Sequence, residues 1–147
     1  MNPIDIEITK LIPQRPPIVM VDKVLSSDRT DTYTELTIRE DNIFLDDNTL
    51  STAGIMENMM QSCAARMGCI NRGRNESIKI GYIGAVKECE FFYSPKCNDV
   101  LTTHVHILEE VFHLTLADIT VKVGDTLVAQ ANVKIVLTDK EAGENKA

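Results

Sequence analysis

The sequence predicts an α+β domain in which a curved antiparallel sheet wraps around one long central helix. Three observations carry that expectation. The stretch "STAGIMENMMQSCAARMG", Ser51 to Gly68, is apolar or small nearly all round, as a central helix is and a surface helix is not. On both sides of it, alternation of apolar and polar residues marks about six strand candidates. The chain of 147 residues is 44% hydrophobic, which is enough to fill one core and not two.

Taken in order, "IDIEITKLI" fits a short helix or an extended segment. "QRPPIVMVDKVL" opens on a Pro pair that forces extension, ahead of an apolar strand from Ile18 to Leu25. In "DTYTELTIRE", Thr34, Leu36 and Ile38 fall on one strand face, and Tyr33, Glu35, Thr37 and Arg39 on the other. The polar segment "EDNIFLDDNT" reads as a loop leading into the helix. Beyond the helix, "RGRNES" is turn-like, and strands are expected at Lys79–Tyr93, Val100–Leu108, His113–Val123 and Leu127–Leu137. The third of these changes phase near Ala117–Asp118, which predicts a bulge there. Gly124-Asp125 supplies the turn before the last strand. Residues 1–137 are thus expected to form a single domain, and the polar tail "TDKEAGENKA", 138–147, to be disordered.

Composition narrows the function. A net charge of −7 argues against a nucleic-acid surface, which needs a clustered positive field. The start "MNPIDIEITK" has no basic segment followed by an apolar one, and no apolar run approaches the length of a membrane span, so a cytoplasmic protein is expected. Cys63, Cys69, Cys89 and Cys97 form no Cys-x-x-Cys pair and read as reduced, packed thiols. His104 and His106 share a strand face, but no third ligand is visible beside them. They read as hydrogen-bonded or solvent-facing, and neither a metal site nor a cofactor is expected. Met56, Met59, Met60 and Met67 fit an irregular core better than a substrate tunnel, while Ser62, Ala64, Ala65 and Gly68 would let the sheet approach the helix closely.

One residue stands apart in this helix. Glu57 is a lone carboxylate, with no charge before it back to Asp47 and none after it until Arg66. Burial there would raise its pKa. It is either a structural group satisfied by Gln61 one turn on, or a carboxylate facing a ligand cavity.

"GIMENMMQSCAARMG", with Glu57 followed four residues later by Gln61, resembles the central-helix motif of the hotdog-fold 3-hydroxyacyl-ACP dehydratases. "LIPQRPPIVMVDKVL" is similar to the Pro-His-Arg-x-Pro segment and aliphatic strand of that family. "KIGYIGAVKECEFFYSPKCNDVL" is similar to its Gly-rich strand after the helix. The likeness spans about residues 11 to 137, and the divergent branch associated with aryl-polyene and flexirubin-type pigments fits best. It implies a hotdog fold, Glu57 as the catalytic carboxylate, and substrate contacts at Ile43, Gly54, Ile55, Gln61 and Gly84. The backbone near Thr52 to Gly54 would polarise the thioester carbonyl.

The family pattern breaks at two positions. Where it carries Gly-His-Phe-Pro, this chain has Asn42-Ile43-Phe44-Leu45, so the catalytic His is replaced by Ile43; Gln14 replaces a second, non-catalytic His. Three functions follow from the likeness: a dehydratase-like subunit impaired alone, a hotdog thioesterase using Glu57, or a non-catalytic acyl-binding subunit. The implied partners are acyl carrier protein or acyl-CoA thioesters, and the implied assembly is a homodimer or higher oligomer, or a hetero-oligomer with an intact dehydratase. Arg66, Arg72, Arg74 and Lys79 cluster near the helix end and are expected to dock an acidic carrier.

Overall fold

The computed structural model describes residues 4–73 and 79–141, with side chains at 4–73 and 84–136. A 3-10 turn at Ile8–Lys10 precedes β1 (Lys23–Ser27) and β2 (Asp31–Thr37). A small hairpin, β3 (Leu45–Asp46) and β4 (Thr49–Leu50), leads into α1 (Thr52–Gly73). Then come β5 (Lys79–Phe91), β6 (Val100–Val111), β7 (Leu114–Val123) and β8 (Thr126–Glu141). The large sheet has the order β1-β2-β6-β7-β8-β5 and is antiparallel throughout. One long helix against this sheet is the hotdog arrangement that the resemblance implies.

Period-2 burial fixes which face of the sheet meets the helix. In β2, Thr32, Thr34 and Leu36 are buried, with Ile38 beyond the strand end also buried; in β6, Leu101, Thr103 and Val105 are buried. Leu36, Ile38, Leu101 and Val105 pack with Ile55, Met59 and Cys63 of α1 in the main core. A second cluster, formed by Leu11, Ile12, Val21, Val24 and Ala65, seals the N-terminal segment against the helix.

Several expectations need correction. The strand predicted from Ile18 begins at Lys23, because the backbone groups of Ile18 and Met20 are satisfied by helix side chains. Gln61 Nε2 donates to the Ile18 carbonyl at 2.8 Å, and Asn58 Nδ2 donates to the Met20 carbonyl at 2.8 Å. The expected loop at Glu40–Thr49 contains β3 and the start of β4, and the helix runs to Gly73 and not Gly68. The expected phase change in β7 does not occur: Thr115, Ala117, Ile119 and Val121 are all buried, while Leu114 and Leu116 lie on the outer face. The irregularity sits on β6, between Ile107 and Glu109, directly opposite Ala117 and Leu116. The last strand continues to Glu141, paired with Lys79, so residues 138–141 of the expected tail are strand, and 142–147 lie outside the described residues.

The helix is also less apolar in its contacts than its composition predicts. A polar seam of Asn58, Gln61 and Ser62 is fully buried. Each member is satisfied: Asn58 Oδ1 accepts from Thr103 Oγ1, and the Ser62 and Thr34 hydroxyls meet at 2.8 Å. A buried amide or hydroxyl without such partners would cost about 1–3 kcal/mol. The seam therefore selects one register of helix against sheet and strand.

Candidate active site

Glu57 lies in the second turn of α1, half-buried and not enclosed as expected. Residue spacing brings Gln61 onto the same helix face, and its Nε2 donates to Glu57 Oε1 at 2.8 Å. Gln61 is itself immobilised, because its oxygen accepts the Met20 backbone N–H and its nitrogen also reaches the Ile18 carbonyl. The carboxylate is thus positioned by a side chain that is tied to the backbone of Ile18 and Met20 in the N-terminal segment.

Ser51 caps the helix start. Ser51 Oγ accepts the Gly54 N–H at 3.1 Å, and the Ser51 carbonyl accepts the Ile55 N–H at 3.1 Å. Of the backbone N–H groups near Thr52 to Gly54 expected to polarise a thioester carbonyl, that of Gly54 is therefore engaged. Gly54 has a packing role instead: a Cβ there would lie 2.6 Å from Phe44 Cβ and 2.8 Å from Leu50 Cδ1, so only glycine lets the β3–β4 hairpin rest on the helix.

The other expected contact residues separate into two groups. Ile43 is 51% exposed on the hairpin approach, and Gly84 is exposed on β5. Ile55, in contrast, is buried in the main core and offers no surface to a ligand. Asn42 orders the segment carrying Ile43 by accepting the Phe44 N–H at 2.9 Å. A cleft of about 350 Å³ opens beside Pro17, Val19, Arg39 and Asn42, and Glu57 does not line it. Between helix and sheet, Cys63, Met67, Val105 and Ile135 line a cavity of about 20 Å³, room for one water and not for an acyl chain. Met59 is wholly buried, in keeping with core packing.

The expected docking cluster is not a single patch. Arg66 is 3% exposed; its Nη2 donates to the Arg29 carbonyl at 2.9 Å and pairs with Glu110 Oε2 at 3.3 Å. This corrects its assignment as a surface cation: the guanidinium bridges α1 to the far end of β6. Arg72 is exposed in the last turn. Arg74 and the Lys79 side chain lie outside the described residues.

A second polar constellation occupies the outer face of the sheet. His104 Nε2 and His106 Nδ1 both contact Asp31 Oδ1, at 2.7 and 2.8 Å. Those hydrogen bonds, His104's first, hold the Asp31 carboxyl well below the usual carboxylate range. Asp31 was missed as a partner because it lies far away in sequence; the β2–β6 register places it directly opposite His106. The four cysteines are free thiols, as expected.

A family model described as ApeP-like, ApeP dehydratase, matches residues 6–145. Comparison with curated proteins finds no match. Among solved structures, the chain is similar to the dehydratase heterocomplex ApeI:P from Xenorhabdus doucetiae, at 15% identity and a TM-score of 0.85, covering 92% of this chain and 93% of that one. It is also similar to Cj0977, a sigma28-regulated virulence protein from Campylobacter jejuni, at 15% identity and a TM-score of 0.66, covering 93% and 92%. A hypothetical thioesterase from Streptococcus pneumoniae, solved with coenzyme A, shares 11% identity at a TM-score of 0.65, covering 81% and 87%. At such identities these likenesses establish the fold. No helix among the described residues is long and apolar enough to cross a membrane.

Proposed function

The chain belongs to the ApeP-like dehydratase family, and from that premise we propose that it is a dehydratase subunit acting on 3-hydroxyacyl thioesters of an acyl carrier protein, completed by a second subunit that supplies a histidine. The observation that carries this reading is the placement of Glu57 relative to the chain's three histidines. Glu57 stands on the helix, oriented by Gln61. His104 and His106 alternate with Thr103 and Val105, which face the helix, and so project from the opposite side of the sheet. His113 is exposed in the β6–β7 turn. None shares the side of the sheet on which Glu57 works.

Dehydration breaks the C2–H bond, forms the C2=C3 bond and breaks C3–O with loss of water, so it needs a base, an acid and a donor for the developing enolate oxygen. Glu57 serves as the acid that hands a proton to the departing C3 hydroxyl. Gln61 holds it in place through Oε1. Ile43, where the family has its catalytic base, is exposed and contributes only an apolar side chain. The base then comes from another chain, in keeping with the heteromeric state of the ApeI:P dehydratase to which this chain is similar.

Assembly through β5 supports the same reading. β5 is an edge strand of thirteen residues, and Phe91 and Phe92 at its end are 38% and 51% exposed. An open edge of this length with aromatic residues beside it favours pairing with another chain. Of the four cations expected to dock an acidic carrier protein, Arg72 is described and exposed, with Arg74 and Lys79 following in sequence.

The test is to assay 3-hydroxyacyl-ACP dehydration by the chain alone and together with a hotdog dehydratase subunit carrying an intact Gly-His-Phe-Pro segment. Enoyl product is expected from the pair and little from the chain alone. Glu57→Gln should reduce turnover by the pair on the order of 10²–10⁴-fold. Ordinary turnover by the wild-type chain alone would overturn the proposal, and release of free acid and thiol would identify a thioesterase instead.

A further inference from the structure

The geometry points to a divalent metal site on the outer face of the sheet, formed by Asp31, His104 and His106 and suited to zinc or a similar borderline ion. Three donor atoms, one from each residue, lie within 4.8 Å of one another. They come from adjacent strands in strict register: Asp31 pairs with His106, and Tyr33 with His104. Residues two apart on one strand share a face, so both imidazoles and the carboxylate project to the same side of a rigid scaffold.

The surroundings orient the donors as an outer shell does. Tyr33 stacks on His104 with centroids 4.2 Å apart and planes 3° from parallel, which holds the ring in its plane. Thr30 Oγ1 donates to Asp31 Oδ2 at 2.8 Å, leaving Oδ1 aimed at both rings. Partners of this kind fix ligand orientation in metal sites. Two imidazole nitrogens and one carboxylate oxygen are a donor set that zinc takes readily, with a fourth corner left for water. The side chains are 33%, 31% and 46% exposed for Asp31, His104 and His106, so an ion has a direct path in and the fourth corner faces solvent.

The nitrogen–oxygen distances of 2.7 and 2.8 Å are hydrogen-bond lengths. Around a tetrahedral zinc with bonds near 2.0–2.1 Å, ligand atoms sit about 3.3 Å apart. The cluster must therefore open by roughly half an ångström at each contact, within reach of small side-chain torsions, as the ion replaces the shared protons.

The experiment is calorimetric titration of untagged, chelator-treated full-length chain with Zn²⁺, alongside Co²⁺ monitored by its visible spectrum. About one ion per chain is expected, with a Co²⁺ spectrum lacking thiolate charge-transfer bands. His104→Gln, His106→Gln and Asp31→Asn should each weaken binding on the order of 10–100-fold or more, while His113→Gln should leave it unchanged. On the wild-type chain, paramagnetic Co²⁺ should broaden two of the three histidine ring signals and spare the one removed in His113→Gln, a readout independent of whether the other variants fold. No binding at a hundred micromolar Zn²⁺, unchanged affinity in the His104→Gln/His106→Gln double variant, or broadening that includes His113 would each overturn the site and leave a hydrogen-bonded triad.

Discussion

The Gln61 side-chain nitrogen donates to Glu57 Oε1 and to the Ile18 carbonyl, both at 2.8 Å, so one amide ties the helix carboxylate to the segment that enters β1. Removing it affects two things at once. Gln61→Ala strands the Met20 N–H and the Ile18 carbonyl, and a buried unsatisfied group costs about 1–3 kcal/mol. The expected loss is about 2–4 kcal/mol in urea denaturation. Glu57→Gln, at a half-buried position where an amide can still accept from Gln61, should stay within about 1 kcal/mol of wild type. A Gln61→Ala variant as stable as Glu57→Gln would refute the anchoring role.

Gly68 is expected to be the least replaceable glycine of the helix. A Cβ there would overlap the Leu11 carbonyl oxygen and sit 2.7 Å from its carbon, whereas a Cβ at Gly73 meets nothing within 4 Å. Backbone cannot move aside as a flexible side chain can. Gly68→Ala should therefore destabilise by about 1–3 kcal/mol, as overpacking does, while Gly73→Ala should be neutral or slightly stabilising. Thermal melts of the two variants decide it; equal melting temperatures would show that the N-terminal segment does not rest on the helix.

Arg66 and Arg72 are separated in sequence by less than two turns but should behave oppositely. Arg66→Glu places a carboxylate beside Glu110 in a pair buried on the arginine side and partly open on the other, so the loss is at most about 3–5 kcal/mol, the cost of breaking a fully buried pair. Arg72→Glu changes only an exposed charge. It should leave the melting temperature within a few degrees of wild type while weakening carrier-protein binding in a salt-dependent way. Carrier affinity unchanged at low salt in Arg72→Glu would exclude this part of the helix from docking.

These contrasts show where sequence reading succeeds and where it stops. The helix, the inner face of β2 and the pairing of Glu57 with Gln61 were legible because they depend on spacings of two and four residues. What Gln61 does to Ile18 and Met20 was not, since that contact joins residues more than forty positions apart and gives no periodic signal. Arg66 looked like a surface cation because its partners, Arg29 and Glu110, come from other elements. The same applies to Asp31: an i, i+2 histidine pair was visible, but its carboxylate required knowing that β2 lies beside β6. In β7, Leu114 and Leu116 implied a phase change because leucine reads as core, whereas it is the smaller Thr115 and Ala117 that are buried.

The remaining prediction concerns Cys63, which is buried in the main core with its thiol pushed up to about 12 by that burial. A thiol in the unfolded chain ionises near pH 8.5. The folded value lies above the unfolded one, so the stability it contributes is complete below about pH 8.5 and is lost progressively as pH rises toward 12. Each such thiol can contribute a slope of up to about 1.4 kcal/mol per pH unit in that window. Cys63→Ala should lower stability by about 1 kcal/mol at pH 7 through a small cavity and should flatten the decline between pH 9 and 11. Urea denaturation across that range measures the slope directly. In native protein at pH 8, an alkylating reagent should modify half-exposed Cys97 well before Cys63, as peptide mapping would record. Equal labelling of both thiols, together with an unchanged alkaline slope in Cys63→Ala, would mean that the helix does not stay closed on the sheet at that point.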